Sequence, residues 1–249
     1  MADNMLLYFL ISLITLTCLV ILLYGLHKAL EQAGFNTGNK KHIFRNAVLI
    51  VSGWIVLLGV LSSKGFFTER SSFPLVAVAV VLPLPFILLI VFSRSFTRLL
   101  YVIPPSWLVF MQLFRIATAL FLWMAWLERE VPVQTTCTAD NYDLFTGITA
   151  PVVGWFCLVK KNWPSAIAVA WNIIGLCLLL NSLVIAVLSM PGPLRYFMDE
   201  PANSLLADFP FIYLSGILVP VAYSLHIFSL RQLLLRKRIV SATNRKYNR

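Results

Sequence analysis

Long uncharged runs, predominantly apolar, alternate along the chain with short polar connectors. They extend from Met5 to Leu26, Asn46 to Ser63, Phe73 to Ser93, Ser165 to Met190 and Phe209 to Leu230. About 20 apolar residues in a helix cross the roughly 30 Å of a bilayer core, so each run is long enough, or nearly so, to be a span. Two more segments fit the pattern. Ser106 to Leu127 qualifies if its single cation, Arg115, is tolerated, and Leu144 to Val159 is short but bounded by Asp143 and by Lys160-Lys161. The pattern predicts an all-α integral membrane bundle of seven helices, over about 5–26, 46–63, 73–93, 106–127, 142–159, 165–190 and 209–230. These form one domain, 1–230, followed by a basic tail, 231–249.

Composition agrees with that reading. With 59% hydrophobic and 12% charged residues, the chain is too apolar for a soluble domain of ordinary make-up. A net charge of +10 would suit nucleic acid, but the basic residues sit in connectors and in the tail rather than on a separable basic domain, so no nucleic-acid partner is expected. Their distribution instead orients the bundle. Fifteen Lys and Arg fall on the side of the tail and of Lys40, Arg94 and Lys160, against four (Lys64, Arg70, Arg129 and Arg195) on the other. Cytoplasmic connectors carry the excess of basic residues, which predicts an external N-terminus and a cytoplasmic C-terminus. The first run is read as a helix rather than a signal peptide, because it lacks a basic n-region, carries Asp3 and is too long. Three of the four cysteines lie inside predicted helices, so there is no disulfide framework.

Three connectors are longer than the rest: Leu26 to Arg45, Glu128 to Asn141 and Pro191 to Asp208. No soluble domain fits in any of them. Two segments echo each other, "FPLVAVAVVLPLPFILLIVFS" from Phe73 and "FPFIYLSGILVPVAYSLHIFS" from Phe209, both opening on Phe-Pro and closing on Phe-Ser. The echo is compatible with a parallel 3+1+3 repeat. Pro83, Pro85 and Pro220 remove backbone hydrogen bonds inside these segments, so both are expected to kink or partly unwind at matched depth.

Few residues are polar enough to carry chemistry. Arg115 lies nine residues from the inner end of its helix, or roughly 13 Å deep at 1.5 Å per residue. Placing it there costs at least about 2.5 to 3.5 kcal/mol on insertion scales, so it should face the bundle interior and find acceptors. Gln112, three residues earlier, shares its face. Asn172 and Asn181 bracket it in height, but nine residues apart they cannot lie on one helix face. Asp143 opens the fifth predicted helix, where it can cap the helix or reach inward to Arg115. His226 is the one histidine well inside a predicted span. These six residues form the candidate ligand-binding or polar core, with Arg115 as an anion contact or as a staple between helices.

Other chemistries lack their parts. There is no histidine pair for haem, no metal-ligand spacing, no phosphate loop, no nucleophile elbow and no lysine in a predicted span for a retinal Schiff base. No catalytic constellation, cofactor or metal is therefore expected. The stretches "NYDLFTGITAP", "WNIIGLCLLLN" and "FPFIYLSGILVPVAYSLHIFSLRQL" resemble an uncharacterised family of multi-pass bacterial membrane proteins over roughly Gln112 to Leu233. That resemblance implies a bacterial inner membrane and brings no activity with it. The leading expectation is a carrier-like bundle, in contact with the bilayer, that binds a small polar or anionic solute near the membrane midplane. The alternative is a sensory or scaffolding protein that uses its outer loops for recognition and its basic tail inside.

Overall fold

A computed structural model describes residues 5–68, 74–139 and 141–247, with side chains to residue 237. The fold is all-α, and no strand occurs among the described residues. In chain order the α-helices are α1 (Met5–Gln32), α2 (Thr37–Ser63), α3 (Val76–Val81), α4 (Pro83–Phe92), α5 (Arg94–Val102), α6 (Pro105–Phe110), α7 (Phe114–Leu127), α8 (Asp143–Val153), α9 (Ser165–Leu188) and α10 (Val219–Tyr247). A 3₁₀ turn at Met111–Leu113 joins α6 to α7, and π-helical segments follow α8 (Gly154–Val159) and precede α10 (Leu214–Leu218).

Among the described residues, five helices are long and apolar enough to cross a membrane: Met5–Gln32, Thr37–Ser63, Pro105–Leu127, Ser165–Leu188 and Leu214–Lys237. Counting the bent pair Val76–Phe92 and Arg94–Val102 as one span makes six. The expectation of seven is thereby corrected in part. The segment read as a fifth span is a shorter apolar helix, Asp143–Val159, which reaches about 25 Å at the α-helical rise.

Helix ends also move from where the hydrophobic runs placed them. The long connector expected from Leu26 to Arg45 shrinks to residues 33–36. The stretch after Leu26 continues α1 to Gln32, and Gly34, with φ of +68°, takes the left-handed turn that closes it. Asn36 then caps α2 by accepting a hydrogen bond from Asn39 N at 2.8 Å. At the other end, the residues read as a tail from 231 onward continue α10 to Tyr247.

The prolines act differently from one another. Pro83 starts α4 after the one-residue break at Leu82, with Pro85 inside the same helix, and the sharp bend, 78°, comes at Ser93. Ser93 adopts an extended conformation and caps α5 by accepting from Phe96 N at 3.2 Å. Pro220 lies just past the π segment Leu214–Leu218. Its missing N–H leaves Gly216 O without the usual partner four residues on, and the Trp54 indole Nε1 of α2 donates to that oxygen at 2.7 Å. The two echoed segments therefore pack against each other with unlike backbone forms at their prolines.

α10 is the central element, packed against α9, α6, α4, α3 and α5. In the most apolar windows of Pro105–Leu127 and Leu214–Lys237, 56% of residues are buried, against 11% for α2. The helices that carry Arg115 and His226 are thus the interior of the bundle, and α2 lies at its edge.

The connectors at residues 128–142 and 189–208 fold over one end of the bundle. Gln134 reaches Asp199 across them, Asn203 donates to Ala186 O at 3.0 Å, and Asn141 donates to Thr135 O at 2.7 Å. Thr136, Ser189 and Asn203 have no exposed surface. This end is closed by interlocked polar segments, which hydropathy alone reads as loops.

Candidate functional site

Arg115 occupies the first turn of α7, just after the 3₁₀ turn, with 1% of its surface exposed. The side chain points into the bundle. Nε donates to Asp143 Oδ2 at 2.8 Å, and the second arm of the guanidinium pairs with Oδ1 of the same carboxylate. This is the two-pronged geometry a guanidinium forms with a carboxylate. Nη1 meets His226 Nε2 at 2.9 Å. Three donor positions of the guanidinium are therefore used on two other helices.

The partner contacts fix the state of the histidine. A guanidinium has only donors, so His226 Nε2 accepts and the ring proton lies on Nδ1. Nδ1 then donates to Asn172 Oδ1 at 2.9 Å, which turns the Asn172 amide nitrogen toward Ser229 Oγ at 3.0 Å and Ala168 O at 2.7 Å. The result is a directional chain across four helices: Asp143 on α8, Arg115 on α7, His226 and Ser229 on α10, and Asn172 on α9. It requires a neutral His226, because a second ring proton, on Nε2, would oppose the Arg115 Nη1 donor.

Close helix approach makes the chain possible. A Cβ on Gly175 of α9 would come within 2.4 Å of the His226 ring, and one on Gly147 of α8 within 2.9 Å of Ile116 Cγ1. Trp171 lies against the ring at 5.3 Å between centroids and anchors its indole on Thr149 Oγ1 at 2.8 Å. Gly147, Gly175, Trp171 and Ser229 are parts of the site that sequence reasoning missed. Small residues in apolar helices are a signal for close packing, but nothing in the sequence says what approaches them.

The other candidates divide. Asp143 is the first residue of α8 and gives its carboxylate to Arg115 rather than to a cap. Asn141 serves the helix start instead, its Oδ1 accepting from Asp143 N at 3.1 Å and from Ser182 Oγ of α9 at 2.6 Å. Gln112 is buried and donates to Ala222 O at 3.1 Å, so it ties the 3₁₀ turn to α10. Asn181 is exposed. Pro83, Pro85 and Pro220 shape other parts of the bundle.

A cavity of about 80 Å³ adjoins the ion pair. Arg115, Thr118, Asn141, Asp143, Ser182 and Ser215 supply its polar wall, and Leu179, Leu183, Leu218 and Val80 the apolar one. Thr135 and Leu206 bring both folded connectors to its boundary. Among the described residues, no group of three or more His, Cys, Asp or Glu is placed to hold a metal ion.

Fold and site define a class: an all-α bundle, several of whose helices are apolar enough to cross a membrane, built around a buried arginine paired with a part-buried aspartate and extended by histidine and asparagine. Residues 72–234, well over half of the chain, match the model of a domain of unknown function, DUF8737, and the chain belongs to that family. The matched span contains every member of the polar chain from Arg115 to Ser229. No curated protein and no solved structure matches the chain.

Proposed function

We propose that the protein is a carrier-like bundle of the cell membrane, of the bacterial inner-membrane type, that binds a small polar solute beside the Arg115–Asp143 pair. The observation that carries this reading is the cavity of about 80 Å³ at the ion pair of buried Arg115 and part-buried Asp143, with hydroxyl-bearing walls and a boundary formed by folded connectors. A staple between helices needs the pair but not the space. Arg115 already has a counter-charge, which favours a polar or dipolar solute over a simple anion. The bundle sits with its N-terminus outside, its C-terminus inside and the connectors 128–142 and 189–208 external.

The test is access to the cavity from both faces. In a background lacking the four native cysteines, Ser215→Cys on the cavity wall is expected to react with a charged, membrane-impermeant thiol reagent from either side of sealed vesicles. Reaction from neither side, in folded protein, overturns the carrier reading.

A second reading, as a sensory or scaffolding protein, has one observation in its favour. Leu194, Tyr196 and Met198 on the connector are 46, 74 and 69% exposed, while the alternating Arg195 and Phe197 are only partly exposed. Such an apolar rim suits recognition of a partner, and a cysteine closed to both sides supports it.

A further inference from the structure

The solute can be narrowed by three properties of the cavity: its charge, its hydrogen-bond layout and its size. This step rests on the reading that the cavity holds a solute. Arg115 and Asp143 are opposite charges, 1 and 15% exposed, and they neutralise each other. An entering anion would compete with Asp143 for Arg115 and leave an excess negative charge there. A cation would leave the opposite excess. Uncompensated charge away from water is strongly unfavourable, so only a solute of zero net charge keeps the site balanced.

The layout adds that a dipolar solute can exchange like for like. The two prongs that Arg115 gives to Asp143 are the pair of donors a second carboxylate would use, and His226 holds the third donor in place. A carboxylate that takes those prongs releases Asp143, whose oxygens then accept from an ammonium group on the same solute. Each charge loses one partner and gains an equivalent one.

Size sets the limit. A dry cavity of about 150 Å³ accommodates benzene, with its six heavy atoms, whereas this one measures about 80 Å³. At that ratio the space as it stands holds about three non-hydrogen atoms, so the five of the smallest zwitterion must extend partly into its opening, and the apolar wall of Leu179, Leu183, Leu218 and Val80 offers nothing to a polar side chain. We infer that the Arg115–Asp143 cavity takes a small zwitterion, a carboxylate and an ammonium on one carbon, of glycine size.

The experiment is thermal unfolding of the full chain in lipid nanodiscs with glycine, acetate, methylammonium or urea, each titrated to the same concentration. Glycine should raise Tm saturably, by roughly 5 °C at a hundredfold excess over its Kd, with acetate and methylammonium giving less than about a tenth of that shift. Leu183→Phe, which fills the cavity and keeps both charges, should abolish the response to glycine. Asp143→Asn, where it folds, should abolish it too. A response to acetate equal to that of glycine, to urea alone, or to none of the four overturns the zwitterion. The first two still leave a polar-solute site; in the third case, the two-sided access of Ser215→Cys decides separately whether any solute site exists.

Discussion

Arg115 makes contacts that a lysine cannot reproduce. Its fork spans Asp143 with two prongs and His226 with a third, and the plane of the guanidinium fixes all three directions together. A single ammonium reaches one partner and leaves the other unmet. Arg115→Lys is expected to destabilise by about 1 to 3 kcal/mol, the cost of leaving a buried polar group unmet. Arg115→Leu should cost more, about 3 to 5 kcal/mol, because it strands the Asp143 carboxylate. Melting curves of the purified variants read both, and a lysine variant as stable as the parent would mean that the fork geometry is immaterial. The need of this arginine for acceptors is evident from its position in an apolar run. The identity of those acceptors is not, since Asp143 is 28 residues away and His226 is 111.

At the scale of elements, hydropathy locates helices well and their interruptions poorly. Each run read from the sequence coincides with a helical segment, because an uncharged stretch of that length has few other stable forms. The boundaries shift where the cue is chemical rather than hydropathic. Gly34 and Asn36 close and open helices inside a segment read as loop, and Ser93 starts a helix at a bend that the prolines were expected to supply. Pro220 shows why. A proline frees a carbonyl, but what happens next depends on a neighbour, here Trp54, 162 residues away in sequence from Gly216. Trp54→Phe removes the donor and should cost about 1 kcal/mol. Pro220→Ala restores an N–H that can serve the same oxygen, so the cost of Trp54→Phe should shrink in that background. A double-mutant cycle measures the difference, and strict additivity would show that the indole does not substitute for the missing N–H.

For the whole molecule, the interlocked connectors constrain the topology more tightly than helix length does. Residues 128–142 and 189–208 touch through Gln134 and Asp199, so both lie on one face of the bundle. Between them run only α8 with its π segment and then α9, whose 24 residues are long enough to cross a bilayer. If α9 crosses, the shorter Asp143–Val159 must cross as well, or the two connectors would end on opposite faces. Its shortness then has a physical reason: it is the helix whose first residue is held at the buried arginine, beneath the folded connectors, rather than at a membrane surface. Reporter fusions after Lys41, Arg98, Lys161 and Arg238 are expected to read cytoplasmic, and those after Arg70, Ala139 and Asn203 external, the side with fewer basic residues. The decisive pair is Ala139 and Lys161. Opposite signals there mean that a helix too short by composition crosses because tertiary contacts hold its ends. Equal signals would place α8 as a re-entrant segment and put the connectors 128–142 and 189–208 on different faces, which their contact forbids, so the packing around Arg115 would have to be rebuilt.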